Sequence, residues 1–597
     1  MASSPTQHPA SDTIVLKFGS SVIPSQAQLA HVVHEIYRYH RAGRRVVAVV
    51  SAIGSTTDTL LTTAREFGDR PSPTAVATLA ATGEARAVAL LTLALDRAGV
   101  HVNALDPGAL NLRTQGVATD ASPTSINREA LICALNDAPV LVVPGFIGRD
   151  ELGRATLLGR GGSDFTAVYI AAALGCECVL IKDVDALYDR DPARDPSNAQ
   201  RLNRASYDDV LALSEGIVQH KAVRFVKDRG VRILISRVGH EAGTVIDSGP
   251  TTRGDIGISR GHPPLRVLLL GLGTVGLGVY QHLKALPDLF EIVGVIVRDT
   301  AKASLHVAGH IPISTDPRLA AETSACDIMV ETIGGRTPAT QALHAALSRG
   351  IHVVTANKAA VAASLNSLRD AAQPRGAHLL FSAAVGGGVP VLERVRDIAS
   401  NYHITDVRGV INGTTNFVLD RLHAAIPFEA AVSEAQRAGF AEADPSSDLD
   451  GLDAANKLAL IADAAFGTLL PVESIARSTI RGISAEDAAR ATREGRKYRV
   501  VARLIRSESG HVVGSVTPET VSASDPLALA TNEENCVVVT TREGPNFTIR
   551  GRGAGRYPTA ESVVGDCLAL RRTILSSTSL SSPALSSPTL SSLTRQV

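Results

Sequence analysis

The chain has 597 residues, 45% of them apolar, and 59 Lys+Arg balance 59 Asp+Glu. That length exceeds one hydrophobic core and asks for about two to four domains, while the neutral balance gives no support to a nucleic-acid partner. Six scattered cysteines form no CxxC pair, so zinc is not expected and reduced thiols in a cytoplasmic setting fit best.

The first residues, MASSPTQHPASD (1–12), have neither a basic start nor an apolar stretch. They read as a disordered leader and not as a secretory signal. No apolar run is read as long enough to span a membrane. Apolar strands follow at 13–20, 44–55, 138–148, 176–188 and 231–238, with helices between them at Gln26–Tyr39 and Ala75–Ala98. Continuous apolar strands alternating with helices predict a parallel sheet covered on both faces. Such a sheet carries its site at the carboxyl ends of the strands.

Residues 248–264, SGPTTRGDIGISRGHPP, are rich in Gly, Pro, Ser and Arg and read as a linker. A fresh strand starts at Leu265. Strand–helix alternation continues to about residue 385 and a mixed pattern follows, treated as one unit over 386–572. The end, 573–597, is a Ser/Pro/Leu repeat expected to be disordered.

Two glycine bends stand out. LGRGGSDFTAV (158–168) lacks the lysine of a P-loop. GLGTVGLG (271–278) carries Gly271, Gly273 and Gly276 in the GxGxxG pattern, with Thr274 and Val275 between them, after an apolar strand and at the start of a helix. That context predicts a dinucleotide pyrophosphate at the helix N-terminus. The next strand, 291–297, ends at Arg298 with Lys302 nearby. A cation there suits the 2′-phosphate of NADP, while Asp299 leaves NAD open.

Farther on, Asp453 and Lys457 lie four apart and share a helix face. Apolar Leu458, Leu460, Ile461 and Ala465 predict that this helix packs into a core. A lysine there can serve as a proton donor. Burial lowers its pKa and the nearby carboxylate raises it, so the net shift is left open.

The stretches GLGTVGLGV, VETIGG (330–335), TANKAAVA (355–362), VGGGVPVL (385–392), INGTTNFVL (411–419), AEADPSSDLDGLDAANK (441–457) and GRGAGRYPTA (551–560) resemble homoserine dehydrogenase across 265–572. The resemblance implies a Rossmann NAD(P)-binding domain at 265–385. It implies an α+β catalytic and dimerisation domain at 386–572, whose last part returns to the Rossmann domain. The implied reaction is reduction of aspartate 4-semialdehyde to homoserine with NADP(H). It makes Lys457 the proton donor, Asp453 a substrate and proton-network residue and Glu442 a substrate ligand. Lys358 becomes a lysine between cofactor and substrate, Thr332 a nicotinamide-side contact and Gly555 a cofactor contact. The family loop also binds a monovalent cation, Na⁺ or K⁺, through backbone carbonyls matching Val385, Gly387 and Val389. Here Ser382 stands where the family has glutamate.

The first half resembles aspartate kinase, a member of the amino-acid kinase fold (an αβα sandwich), over 13–247. The stretches that carry this are KFGSS (17–21), VVSAIGSTTDTLL (49–61), TGEARAVALL (82–91), GRGGSD (159–164), IKDVDALYDRDP (181–192) and AGTVI (242–246). The resemblance implies phosphorylation of aspartate by ATP with Mg²⁺. Lys17 then stabilises the transferring phosphate, and Asp164 orients that lysine and the reacting groups. Arg160, Glu84, Thr57 and Ser51 hold substrate, while Asp183, Tyr188 and Arg190 lie on the ATP side. KFGSS is one glycine short of the usual string, and Lys182 and Ala186 replace the usual threonine and glycine.

Together these resemblances imply a bifunctional enzyme acting on small molecules, with no membrane partner and at least a dimeric state. The alternative is a dehydrogenase whose kinase half has decayed into a scaffold. The short 248–264 segment cannot hold the ACT regulatory modules usual in such fusions, and none fits after 572, so ACT-mediated feedback by threonine or lysine is not expected.

Overall fold

Lys17 stands one residue before the end of the strand Thr13–Phe18, which runs mid-sheet and is buried throughout because apolar cores cover both of its faces. The computed structural model describes residues 12–195, 197–213, 217–240, 243–256 and 263–580. In the first lobe, nine strands run in the order Thr252–Ile256, Gln200–Ser206, Thr244–Asp247, Ile233–Arg237, Glu177–Lys182, Thr13–Phe18, Arg45–Val50, Val140–Pro144 and Val102–Ala104. The central five, from Ile233–Arg237 to Val140–Pro144, are parallel neighbours. Their carboxyl ends therefore open on one side. The helix Gly162–Leu174 begins at Gly161, whose φ of 74° is left-handed, and puts Asp164 in its first turn.

The second lobe begins with six parallel strands ordered Ile313–Ser314, Phe290–Ile296, Leu265–Leu270, Ile328–Glu331, His352–Thr355 and Leu379–Leu380. A third, largely antiparallel sheet follows, ordered Ala476–Arg477, Val512–Ser522, Arg496–Arg506, Ile404–Val410, Glu534–Thr541 and Asn546–Arg552. The helices Val391–Asn401, Gly413–His423 and Leu452–Phe466 share one apolar core with it. The helix Arg556–Leu580 then returns to the parallel sheet, where Val563, Val564 and Cys567 join Val279 and Leu283 in one core.

Four expectations change. Gln26–Gln28 forms a 3-10 turn, and the α-helix proper runs Leu29–Arg41. The expected linker contains an edge strand, Thr252–Ile256, paired antiparallel with Gln200–Ser206, because an open sheet edge offers unpaired backbone groups. The boundary drawn at 572 falls inside Arg556–Leu580, whose apolar face is anchored at its start, so the helix carries on into the Ser-rich stretch; the rest of that stretch, like the leader before residue 12, lies outside the described residues. Finally, Pro73–Arg97 is long and apolar enough by length and composition to cross a bilayer. It is a lobe helix instead: Ala77, Ala80, Glu84, Ala87, Leu91 and Leu95 recur at helical spacing and are buried.

The lobes meet along the Leu29–Arg41 helix. Arg41 Nη2 pairs with Asp566, lies 2.8 Å from Glu393 and donates to Ser382 Oγ at 2.8 Å. Burial and the Glu393 charge outweigh Arg41 and hold the Asp566 carboxyl above its usual range. Removing the only cation of such a set leaves buried charge unpaired. Arg41→Met is expected to lower stability by about 3 kcal/mol, read as a shift in the urea midpoint at unchanged slope.

Candidate active sites

In the first lobe the strand ends converge. Lys17 Nζ lies 2.8 Å from Asp164 Oδ1, and Lys182 Nζ donates to Asp164 Oδ2 at 2.8 Å. One buried carboxylate thus holds two ammonium groups. Burial pushes the Asp164 pKa up, but the two lysines win and hold it below the usual carboxylate range. Burial together with Lys17 lowers Lys182 despite Asp164. Ser51 Oγ donates to Ser163 Oγ at 2.8 Å, tying the second strand's end to the first turn of Gly162–Leu174.

Glu84 is buried, with Oε2 lacking any hydrogen bond. Burial pushes its carboxyl up to about 8, an effect that the Ala52 backbone and Lys17 only partly offset. A buried carboxyl with one oxygen left without a partner is suited, once ionised, to a ligand ammonium. Arg160 is exposed at the rim and Thr57 is half-buried in the first turn of Thr56–Glu66. Asp183 accepts from Ser21 Oγ at 3.4 Å. Tyr188 donates to Asp185, and Arg190 is held by Asp195 at 3.2 Å and Asp189 at 3.6 Å, so its charge is engaged within its own loop. Lys182, read from the sequence as a departure from pattern, belongs to this site; its partner on a distant helix was not legible from spacing.

In the second lobe a cleft of about 1050 Å³ lies over the glycine bend, bounded by Gly273, Thr274, Arg298, Lys302, Thr332 and Arg556 among others. Gly271 has φ 98°, and a Cβ on Gly276 would fall 2.1 Å from Gly271 O. The bend therefore needs glycine, and Gly273 faces open space where a backbone can meet pyrophosphate. These features fit a dinucleotide. Val275 packs toward the apolar core instead of lining the cleft, because its place on the first helical turn faces the sheet. Asp299 caps Thr300–Ser304 by accepting from Lys302 N at 2.9 Å, while Arg298 and Lys302 line the cleft. Gly555, at φ 123°, immediately precedes the cleft residue Arg556.

Thr332 donates to the carbonyls of Leu270 and Gly271, at 3.0 and 3.2 Å. The buried Glu331, which the sequence reading passed over, accepts from Thr355 Oγ1 and from the Ile333 and Gly334 amides. It thereby joins the 331–335 loop to the cap of the helix Lys358–Ala372, whose first residue is Lys358.

Lys358 and Lys457 grip opposite oxygens of buried Asp453, at 2.9 and 2.7 Å. Burial would raise that carboxyl, but the two lysines drive it far below its usual range. The same carboxylate raises Lys358. Lys457 also donates to Ile411 O at 2.8 Å. Asn412 donates to both Asp448 and Asp453, at 2.7 and 2.9 Å, and Thr414 Oγ1 lies 2.9 Å from Asp448. Burial, reinforced by Asp453, holds Asp448 above its usual range. Glu442 is exposed at the edge of this cluster and adds to the field that raises Lys358.

The loop read as a cation site keeps Val385 and Val389 buried. Gly387 has φ 58° and packs on Gly553. Ser382 beside it accepts from Arg41 and meets Glu393 and Asp566. The first lobe therefore brings a guanidinium to the place where the expected glutamate is missing.

Fold and sites together define an amino-acid-kinase-fold lobe joined to an NAD(P)-binding dehydrogenase. The amino acid kinase family model matches residues 12–236, the homoserine dehydrogenase NAD-binding domain 271–382, and homoserine dehydrogenase 390–568. A homoserine dehydrogenase of Synechocystis sp. is 35% identical over 52% of this chain and 75% of its own length. One from Bacillus subtilis is 35% identical over 52% and 73%. The crystal structure of a homoserine dehydrogenase from Thiobacillus denitrificans aligns at TM-score 0.51 and 34% identity, covering 54% of this chain and 76% of that one. The chain belongs to the homoserine dehydrogenase family and carries an amino acid kinase domain before it.

Proposed function

We propose that the protein catalyses two reactions: NADPH-dependent reduction of L-aspartate 4-semialdehyde to L-homoserine, and ATP-dependent phosphorylation of L-aspartate to 4-phospho-L-aspartate. The observation that carries the first is Asp453 held between Lys358 and Lys457. NADPH, when bound, supplies the hydride to the aldehyde carbon. Lys457 meets the charge that develops on the aldehyde oxygen and gives it a proton. Asp453 fixes the ammonium in place, and Lys358 spans from the dinucleotide domain to the substrate side. Preference for NADP over NAD is supported by Arg298 and Lys302 on the cleft and by Asp299 being used as a helix cap.

For the kinase reaction, Lys17 and Lys182 place two positive charges where phosphate charge must be neutralised, and Asp164 orients both. Mg²⁺ is expected to come with the ATP phosphates. Arg160 suits a substrate carboxylate, because guanidinium binds carboxylate bidentately. Six free cysteines fit a reducing, cytoplasmic compartment.

The test is to assay the purified chain for two products: homoserine from the semialdehyde with NADPH, and aspartyl hydroxamate from aspartate, MgATP and hydroxylamine. Both are expected. Homoserine without hydroxamate would reduce the first lobe to a scaffold. Glu84 adds a pH signature. Its carboxyl, pushed up to about 8, is protonated at neutral pH and gains the charge that grips an ammonium only as pH rises. KM for aspartate is therefore expected to fall as pH climbs toward 8, and Glu84→Gln is expected to raise KM and flatten the profile.

A further inference from the structure

We propose that the interface between the lobes contains a divalent metal site of the zinc class, formed by His34, His282 and Glu561. Each ligand comes from a different element. His34 lies on the first-lobe helix Leu29–Arg41, His282 in the last turn of Thr274–Lys284, which opens at the glycine bend, and Glu561 near the start of Arg556–Leu580. One donor atom from each falls within 4.8 Å of the others. A tetrahedral ion with bonds of about 2.0–2.2 Å holds its donor atoms ~3.5 Å apart, so His282 must close by about 1 Å and the His34–Glu561 contact must open to admit the ion, both by side-chain rotation.

The cluster is buried, with His34 4% and Glu561 2% exposed. His34 Nδ1 meets Glu561 Oε1, and His282 Nδ1 stands 3.7 Å from the other oxygen, Oε2. That leaves His282 Nδ1 aimed at a carboxylate yet without a hydrogen bond, and His34 Nε2 is likewise buried without one. An orphaned buried polar atom is costly, because it has given up water without gaining a partner. A metal ion takes the lone pair of such a nitrogen and gives it the partner it lacks.

A plain His–Glu hydrogen bond accounts for the His34 contact alone. It leaves the His282 nitrogen unexplained, and it does not account for three donors meeting from three elements. Two imidazoles and a carboxylate suit zinc. The side chain of His282 is 14% exposed, the most of the three, so an ion enters from its side. Zinc was not expected from the sequence because no cysteine pair offers it; these ligands lie hundreds of residues apart and meet only when the lobes dock. The site's role is to fasten the first lobe to the two helices behind the dinucleotide cleft.

The test uses the full chain, stripped with a chelator and titrated with Zn²⁺ by calorimetry. One zinc per chain is expected, with a rise in thermal midpoint on binding. His282→Ala, at the least buried of the three ligands, is expected to weaken binding beyond the ~10–100-fold cost of a second-shell change and to abolish the midpoint rise. Cobalt(II) in the wild-type chain is expected to give the strong visible bands of a tetrahedral site, absent from His282→Ala. Failure of the wild-type chain to bind zinc, or unchanged affinity in a normally folded His282→Ala chain, overturns the proposal.

Discussion

Lys457→Met is expected to lower kcat for semialdehyde reduction by ~10²–10⁴-fold while leaving KM for the dinucleotide unchanged. The lysine side chain is 12% exposed, and its ammonium is fixed by Asp453 and the Ile411 carbonyl. Methionine has a similar length and no charge, so it fills the space without reaching for the oxygen. The loss falls on the transition state, because the aldehyde oxygen is neutral before hydride arrives. A variant that retains its rate would move the proton donor elsewhere. Asp453→Asn acts differently. Two lysines would then face each other across a neutral amide, so both rate and stability are expected to fall. In the native chain Asp453 is ionised well below the ordinary carboxylate range. Its contribution is thus fully present above the unfolded-state value of about 4 and is lost as pH falls toward the folded-state value. Acid unfolding of Asp453→Asn, measured by circular dichroism, is expected to be less steep than that of the native chain.

Much of this was readable in the chain because it is local. GLGTVGLG, with a strand before it and a helix after, needs only neighbouring residues to define a bend, and the structure gives Gly271 and Gly276 the close backbone contacts that a side chain would break. Asp453 and Lys457 share a helical stride, so their 2.7 Å contact was implied by spacing. Partners joined only by tertiary packing were another matter. Lys182 reaches Asp164 because parallel pairing sets Glu177–Lys182 beside Thr13–Phe18. Arg41 reaches Asp566 because the lobes dock. Nothing at 41 or 566 marks the other in the sequence. Arg190 stands between the two cases: its position in a motif suggested ATP, and its pairing with Asp195 and Asp189 in the same loop came to light only in the structure.

The first lobe gives the second large effect. Lys17→Met is expected to reduce the aspartyl hydroxamate rate by ~10²–10³-fold, the scale for removing one preorganised donor from a developing charge, with homoserine formation unchanged. Lys17 lies at the carboxyl end of a fully buried strand, with Asp164 in the first turn of the facing helix. Its ammonium is therefore positioned before any ligand arrives, and the positive end of the Gly162–Leu174 helix points the same way. Lys182 shares the carboxylate, so it sets how far the loss goes. If both ammonium groups meet the phosphate, Lys182→Met also slows the reaction, and the double variant is slower than either single one. If Lys182 only balances Asp164, its replacement leaves one lysine paired with one carboxylate and costs little. Rates of the two single variants and the double variant separate these cases. A Lys17→Met chain that still forms hydroxamate at the native rate would remove Lys17 from the reaction.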